Sequence, residues 1–137
     1  MAEISLKEQI TLMIQKAFRS LEAAKTLFDE ESYDFSSSRS YYSAFYSIQA
    51  LLLTKNIVYS KHSGVIAGFS EHFIRNGLFP VQYAKHISRL FRERHIGDYD
   101  FISRINCEDA EKNYEIATEL VNSIKKYLDD NGYIISE

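Results

Sequence analysis

The chain has 137 residues, 45% of them hydrophobic and 26% charged, which predicts a single folded domain over residues 1–137 and excludes disordered, collagen-like and low-complexity chains. Its net charge of -3 excludes a protein that coats nucleic acid with its whole surface. The lone Cys107 has no partner for an internal disulfide, and no apolar stretch reaches the ~18 residues of a membrane span, so we expect a cytoplasmic protein without a membrane anchor.

The first thirty residues predict a long amphipathic helix. Their apolar residues recur in steps of three and four, which places them on one helical face: Ile10, Met13, Ile14, Ala17, Phe18, Leu21, Ala24, Leu27 and Phe28. A second helix follows, with Asp34 or Ser36 as its expected N-cap. It is apolar on nearly all sides through YYSAFYSIQALLL, so we expect it at the centre of the core.

A third helix is predicted after Asn56, with Ser60 or Ser63 as its N-cap. The sequence Asn76-Gly77 is a good signal for its C-terminal end. Its apolar stripe consists of Val65, Ile66, Phe69, Phe73 and Ile74.

The fourth helix is expected to begin at Pro80, which suits a first turn, and to fray near Gly97. Its predicted inward stripe consists of Val81, Ala84, Ile87, Leu90 and Phe91. Asn106, with Asp109 three residues later, is the predicted cap of a fifth helix that Asn131-Gly132 closes. Five helices with short connections and no paired strand predict an all-α fold, an antiparallel up-and-down bundle.

Positive charge is concentrated in the middle of the chain. Residues 35–95 hold 8 basic and 2 acidic side chains and all four histidines, whereas residues 96–137 hold 4 basic and 10 acidic ones. This pattern fits either a solvated helix face paired with the acidic ends or a surface that contacts phosphate.

The histidines do not have the spacing of a metal site. His86 and His95 are nine residues apart, which places them on opposite sides of a helix, so no metal and no cofactor is expected. Cys107 lacks a basic neighbour in sequence, and the scattered glycines form no phosphate-binding loop. The arginines and histidines of the fourth helix remain, because a guanidinium binds phosphate and a neutral imidazole moves protons.

Several segments together resemble one family. RSYYSAFYSIQALLLTKNI, SKHSGVIAGFSEHFIRNG and RERHIGDYDF, followed by CEDAEKNYEIA, are similar in order and spacing to small prokaryotic HEPN-domain proteins over residues 10–128. The resemblance implies a helical homodimer whose motif-bearing helices face a shared cleft, often a toxin encoded beside a minimal nucleotidyltransferase antitoxin. Active members use an Arg, usually with a polar follower, and a His four to six positions beyond as a metal-independent endoribonuclease.

The family motif can be placed on this chain in two registers. With Arg94 as the motif arginine, His95 is the polar follower, but Tyr99 and its neighbours occupy the place of the histidine. With Arg89, His95 has the right spacing, but Leu90 replaces the polar follower. We prefer Arg94, because Asp98-Tyr99 after it matches the pattern of this subfamily.

The resemblance thus makes Arg94, His95 and Arg89 the catalytic candidates, with His95 as proton carrier. It also implies ligand-binding roles for a second set: Asp98, Tyr99, Arg39, Tyr42, Lys61 and His62. One interpretation is a toxin that binds RNA or nucleotide phosphate, with or without nuclease activity. The alternative is a non-catalytic dimeric module that docks on a nucleotidyltransferase partner.

Overall fold

The computed structural model describes residues 4–99, 101–102 and 104–134. They form five α-helices and no strand, which confirms the predicted all-α bundle. The helices are α1 (Leu6–Asp29), α2 (Tyr33–Leu53), α3 (His62–Phe69), α4 (Gln82–Tyr99) and α5 (Cys107–Asp130). No helix within these residues combines the length and the apolar character needed to cross a membrane.

Helix α2 lies at the centre and packs against each of the other four helices, as its apolar circumference predicts. Many of its buried residues are serines, whose small side chains let a neighbouring backbone approach closely. Ser36 donates a hydrogen bond of 2.7 Å to the Ala24 carbonyl of α1, and Ser20 of α1 donates one of 2.7 Å to the Arg39 carbonyl of α2. These bonds satisfy buried hydroxyls that would otherwise cost about 1 to 3 kcal/mol each.

The ends of α2 and α3 differ from the prediction. Helix α2 begins after Ser32 and α3 after Lys61, and neither residue makes a side-chain capping hydrogen bond. The expected caps Asp34, Ser36 and Ser63 therefore lie inside helices. The packing of the apolar faces fixes these helix starts without a cap.

A five-residue π-helical segment, Ser70–Ile74, continues α3. The Arg75 amide donates to the Ser70 carbonyl over 3.0 Å, five residues back, and this wider turn brings Phe73 and Ile74 into the core. Gly77 then takes a left-handed φ of 81°, as the predicted helix end requires.

Helix α4 begins at Gln82, two residues after the predicted Pro80, and it continues through Gly97 to Tyr99. Val81 was predicted to face inward, but it precedes the helix and is 73% exposed. Ile87 and Leu90 are buried as expected. At the start of α5, Asn106 and Asp109 form the predicted capping box.

Candidate functional site: an arginine among tyrosines

Four polar side chains from three helices meet in one place, which we call the Arg94 cluster. It consists of Tyr41 and Tyr42 of α2, His62 of α3 and Arg94 of α4. Phe45 and Phe91 pack around these residues and make the surroundings apolar. In such surroundings an electrostatic interaction is stronger than in water.

Arg94 is held on two sides. Its Nη2 donates a hydrogen bond of 2.6 Å to the Tyr42 hydroxyl, and its Nε lies 3.1 Å from Asp98 Oδ2. The second contact is an ion pair without hydrogen-bond alignment, since Nε is a buried atom with no hydrogen-bond partner in the described part of the chain. The guanidinium also lies over the Tyr42 ring, 5.2 Å from its centroid, which adds a cation–π attraction.

One end of the Arg94 guanidinium is reached by solvent. Only 13% of the Arg94 side chain is exposed, which is less than for an arginine in an ion pair on the surface of a helix. Nη1 makes no hydrogen bond to any of the described residues. It is not a buried atom, so solvent reaches it. An anion could therefore contact Arg94 without breaking its bond to Tyr42.

His62 is fixed by its neighbours. Its Nδ1 lies 2.7 Å from the Tyr41 hydroxyl, and its ring stacks on Phe45 with 4.2 Å between centroids. Nε2 has no partner within the described residues and is not a buried atom, so it faces solvent. Depending on which group donates, Tyr41 or Nδ1, Nε2 is a proton donor or an acceptor.

The cluster shifts the acidities of its members. Burial, and to a smaller extent the charge of Arg94, lower the pKa of His62, so the imidazole is neutral at neutral pH. Burial raises the pKa of Tyr41 and keeps its phenol neutral. Burial opposes the charge of Arg94, but the hydrogen bond to Tyr42 and the negative charge of Asp98 raise its pKa overall.

Beside the cluster lies an open groove of about 430 Å³ between α1, α2 and the end of α4. Tyr42 and Asp98, which hold Arg94, form part of its wall. Its lining residues are Leu27, Phe35, Ser38, Arg39, Tyr42 and Asp98. A ligand in this groove would therefore lie next to the groups that position the guanidinium.

The other residues predicted for the site are placed differently. The Arg39 guanidinium lies over the outer face of the site, 4.7 Å from the Tyr42 ring centroid. Lys61 is exposed at the N-terminus of α3, next to His62. His95 is exposed and its ring contacts the exposed Tyr99, 4.8 Å between centroids, rather than the Arg94 cluster.

Arg89 belongs to a separate network that joins α4 to α5. Its Nε donates to Asn113 Oδ1 over 2.9 Å, and its Nη2 lies 3.2 Å from Glu93 and 3.6 Å from Asp109. Asn113 is completely buried and donates in turn to Ser37 of α2 over 3.1 Å. Of the two arginines considered, the structure therefore brings Arg94 and not Arg89 together with an imidazole.

Sequence reasoning missed the bond between Tyr41 and His62, because the two residues are 21 positions apart. The adjacent pair Tyr41-Tyr42 was the available signal, since neighbouring helical residues point in different directions and here serve His62 and Arg94 respectively. The described residues contain no group of three or more metal-binding side chains.

Fold and site define an all-α bundle with an arginine set among tyrosines, and similarity to known proteins identifies the family. The HEPN domain profile matches residues 10–127, so the chain belongs to the HEPN domain family. It is 40% identical to a Methanocaldococcus jannaschii protein named Putative toxin MJ0142, over 92% of this chain and 86% of the relative. It is also 33% identical to a UPF0332 protein of Thermotoga maritima, over 85% and 88% of the two chains.

Solved structures show the same fold. The chain is similar to ST0689, described as an archaeal HEPN homologue, with a TM-score of 0.72 and 18% identity over 88% of this chain and 98% of that one. It is equally similar in fold to TT1696 from Thermus thermophilus, with a TM-score of 0.72 and 14% identity over 86% and 97%. At these identities the likeness concerns the fold alone.

Proposed function

We propose that this HEPN protein is the toxin of a toxin–antitoxin pair and binds the phosphate of RNA or of a nucleotide at Arg94. The observation that carries the proposal is the guanidinium itself, held by Tyr42 and Asp98 with Nη1 open to solvent beside a groove. A guanidinium fixed in this way loses little conformational freedom when it binds an oxyanion. The names of relatives such as Putative toxin MJ0142 support the toxin part of the proposal.

His62 is the imidazole best placed to assist at this phosphate. It shares the Arg94 cluster, is neutral at neutral pH and presents Nε2 to solvent, whereas His95 contacts Tyr99 on the outer surface. In a nuclease reaction Nε2 would accept the proton of the attacking ribose hydroxyl, while Arg94 would stabilise the negative charge on the phosphate oxygens. Tyr41 would keep the imidazole in place throughout.

The binding test compares Arg94→Gln with Arg92→Gln, measured by calorimetry with a single-stranded RNA oligonucleotide. Arg92 is exposed and two residues away, so its substitution removes the same charge outside the cluster. We expect Arg94→Gln to weaken binding ~10- to 150-fold, the loss typical of a hydrogen bond to a charged group, and Arg92→Gln to weaken it much less. Equal losses in the two variants would contradict a phosphate site at Arg94.

Asp98→Asn is the complementary variant, because it removes the carboxylate that competes with an incoming phosphate for Arg94. We expect it to strengthen binding of the same oligonucleotide by about two- to five-fold, the size of a weak ion pair. Weaker binding after this substitution would mean that Asp98 supports the ligand instead of competing with it.

Catalysis is tested separately, by cleavage of total RNA with and without a chelator. We expect cleavage to persist with chelator, and His62→Gln to slow it ~10²- to 10⁴-fold while His95→Gln leaves it unchanged. The opposite order of the two variants would assign the proton transfer to His95.

A second candidate function is a non-catalytic homodimeric module that docks on a minimal nucleotidyltransferase. The position of His95, outside the Arg94 cluster, favours it, since α4 then brings no imidazole to its own arginine. This function predicts no RNA cleavage and a complex that copurifies from the native host, identified by mass measurement. Cleavage by the isolated protein would reject it.

A further inference from the structure

The groove beside the Arg94 cluster has one wall formed by a single face of α2. Phe35, Arg39 and Tyr42 are spaced by four and three residues, so they lie one above another on that face. Phe35 is 57% exposed although its side chain is apolar. The guanidinium of Arg39 lies over the Tyr42 ring, with its Cζ atom 4.7 Å from the ring centroid.

The groove therefore offers flat surfaces together with polar groups. Ser38 Oγ has no hydrogen-bond partner among the described residues and is not a buried atom, and the Asp98 carboxylate forms part of the wall. An aromatic ring and a guanidinium are the two side-chain types on which nucleic-acid bases stack. A hydroxyl such as that of Ser38 accepts a hydrogen bond from an amino group at the edge of a base.

Charge decides which part of a nucleotide the groove can hold. Arg39 and Asp98 give the groove one positive and one negative side chain, so a phosphate placed in it would gain no net attraction, whereas an uncharged base needs none. An entirely apolar ligand is also disfavoured, because it would desolvate Arg39 and Asp98 without giving either a hydrogen bond.

The groove and the proposed phosphate site share two residues. Tyr42 lines the groove and accepts the hydrogen bond from Arg94, and Asp98 lines it and pairs with the same guanidinium. A base in the groove and a phosphate on Arg94 would therefore be neighbours, as they are in one nucleotide.

We propose that this groove is a subsite for the unpaired base of a nucleotide whose phosphate contacts Arg94, with the base stacked between Phe35 and the Arg39 guanidinium. The inference rests on the proposed phosphate site. It selects single-stranded nucleic acid or a free nucleotide as the ligand, since a base inside a duplex is stacked on its neighbours and cannot enter.

The experiment compares two ligands that share a phosphate, guanosine 5′-monophosphate and ribose 5-phosphate, by calorimetry. We expect the wild-type protein to bind the nucleotide about 5- to 150-fold more tightly, the contribution of one stacked base. Phe35→Ala should remove this preference and leave the affinity for ribose 5-phosphate unchanged, whereas Phe35→Tyr should keep the preference. Leu12→Ala, which removes an exposed apolar side chain from α1, should change neither affinity.

Each way in which the base subsite can be wrong gives a distinct experimental result. If the wild type binds both ligands equally, or if Phe35→Ala retains the preference, the base subsite is wrong and the phosphate site stands. If the wild type binds neither ligand, both proposals fail. If Phe35→Ala changes the oligomeric state measured by light scattering and not the preference, Phe35 belongs to an interface between copies of the chain, which also overturns the subsite.

Discussion

His62 bonds to a phenol that is completely buried, and this hydrogen bond links the start of α3 to the central helix α2. The titratable groups that face its ring are Tyr41 and Tyr42 of α2 and Arg94 of α4. No carboxylate is among these groups, so none would form an ion pair with a protonated His62. Protonation of this residue should therefore oppose folding.

We predict that the protein loses stability as the pH falls below about 6.5, the ordinary pKa of histidine. Burial and Arg94 lower the pKa of His62, so the unfolded chain binds its proton first. Stability is lost as the pH falls from about 6.5 toward the lower pKa of the folded state, and the loss levels off below that pKa. Urea unfolding at about pH 7.5 and about pH 5.5 measures it. His62→Gln should show a smaller loss than the wild type.

The sequence could not predict the partners of Arg94 and His62 from spacing. Arg94 and Tyr42 are 52 positions apart, and their hydrogen bond exists because α2 and α4 pack together. The i,i+4 pair of Arg94 and Asp98 was predictable, since four residues make about one helical turn. Local patterns thus indicate the neighbours on one helix, whereas residues contributed by other helices become known only from their packing.

At the scale of the elements, the connection before α3 depends on two glycines. The Tyr59 ring lies against α3, and a Cβ atom on Gly68 would come within 2.5 Å of its Cε2 atom. On Gly64 the nearest atom of the same side chain, Cδ1, would be 3.0 Å away. Helical glycine is normally unfavourable, so its presence here is explained by the space that Tyr59 needs.

We predict that Gly68→Ala destabilises the protein by about 1 to 3 kcal/mol, because the rigid ring must move. In a Tyr59→Ala background the same substitution should instead stabilise it by about 0.5 to 1 kcal/mol, through the better helix propensity of alanine. A double-mutant cycle of urea midpoints tests this. Equal effects in both backgrounds would contradict the close packing of Gly68 and Tyr59.

The network of Arg89, Asn113 and Ser37 connects three helices and lies outside the Arg94 cluster. We predict that Asn113→Ala costs about 1 to 3 kcal/mol, because it leaves Arg89 Nε and the buried Ser37 hydroxyl without this partner. Asn122→Ala is the control, since Asn122 is exposed and bonds only within α5. Thermal unfolding gives the stabilities, and RNA affinity should be unchanged in both folded variants.

The helix pattern was largely readable from sequence, and the exceptions have a physical cause. Asn106 with Asp109 predicted the start of α5, because both side chains satisfy amides within the same turn. The starts of α2 and α3 carry no side-chain cap, and tertiary packing sets them. The π-helical turn at Ser70–Ile74 was missed because Phe69, Phe73 and Ile74 also fit an ordinary helical stripe.

At the scale of the whole molecule, positive charge belongs to the middle of the chain and negative charge to its two ends. Residues 35–95 carry +6, whereas residues 1–34 carry -3 and residues 96–137 carry -6. Helices α1 and α5 pack against α2, so the acidic segments lie beside the basic one. A long nucleic acid would therefore meet repulsion beyond a small contact area.

We predict a shallow dependence of RNA binding on salt. One to three phosphate contacts correspond to a slope of about -0.7 to -2 in a plot of the logarithm of affinity against the logarithm of salt concentration. Fluorescence anisotropy with a labelled single-stranded oligonucleotide, from about 50 to 200 mM salt, measures the slope. A slope of about -4 or steeper would mean an extended basic surface and would contradict a compact site at Arg94.

The Arg94 cluster draws its members from positions 41, 42, 62 and 94, and each depends on another helix for its orientation. During synthesis the first three residues leave the ribosome long before the fourth. A nascent chain that stops before α4, or one cut by a protease between Ile74 and Gln82, has tyrosines and a histidine but no guanidinium to complete the site. Such fragments should not bind the ligand, so the binding activity would be present only in the finished protein.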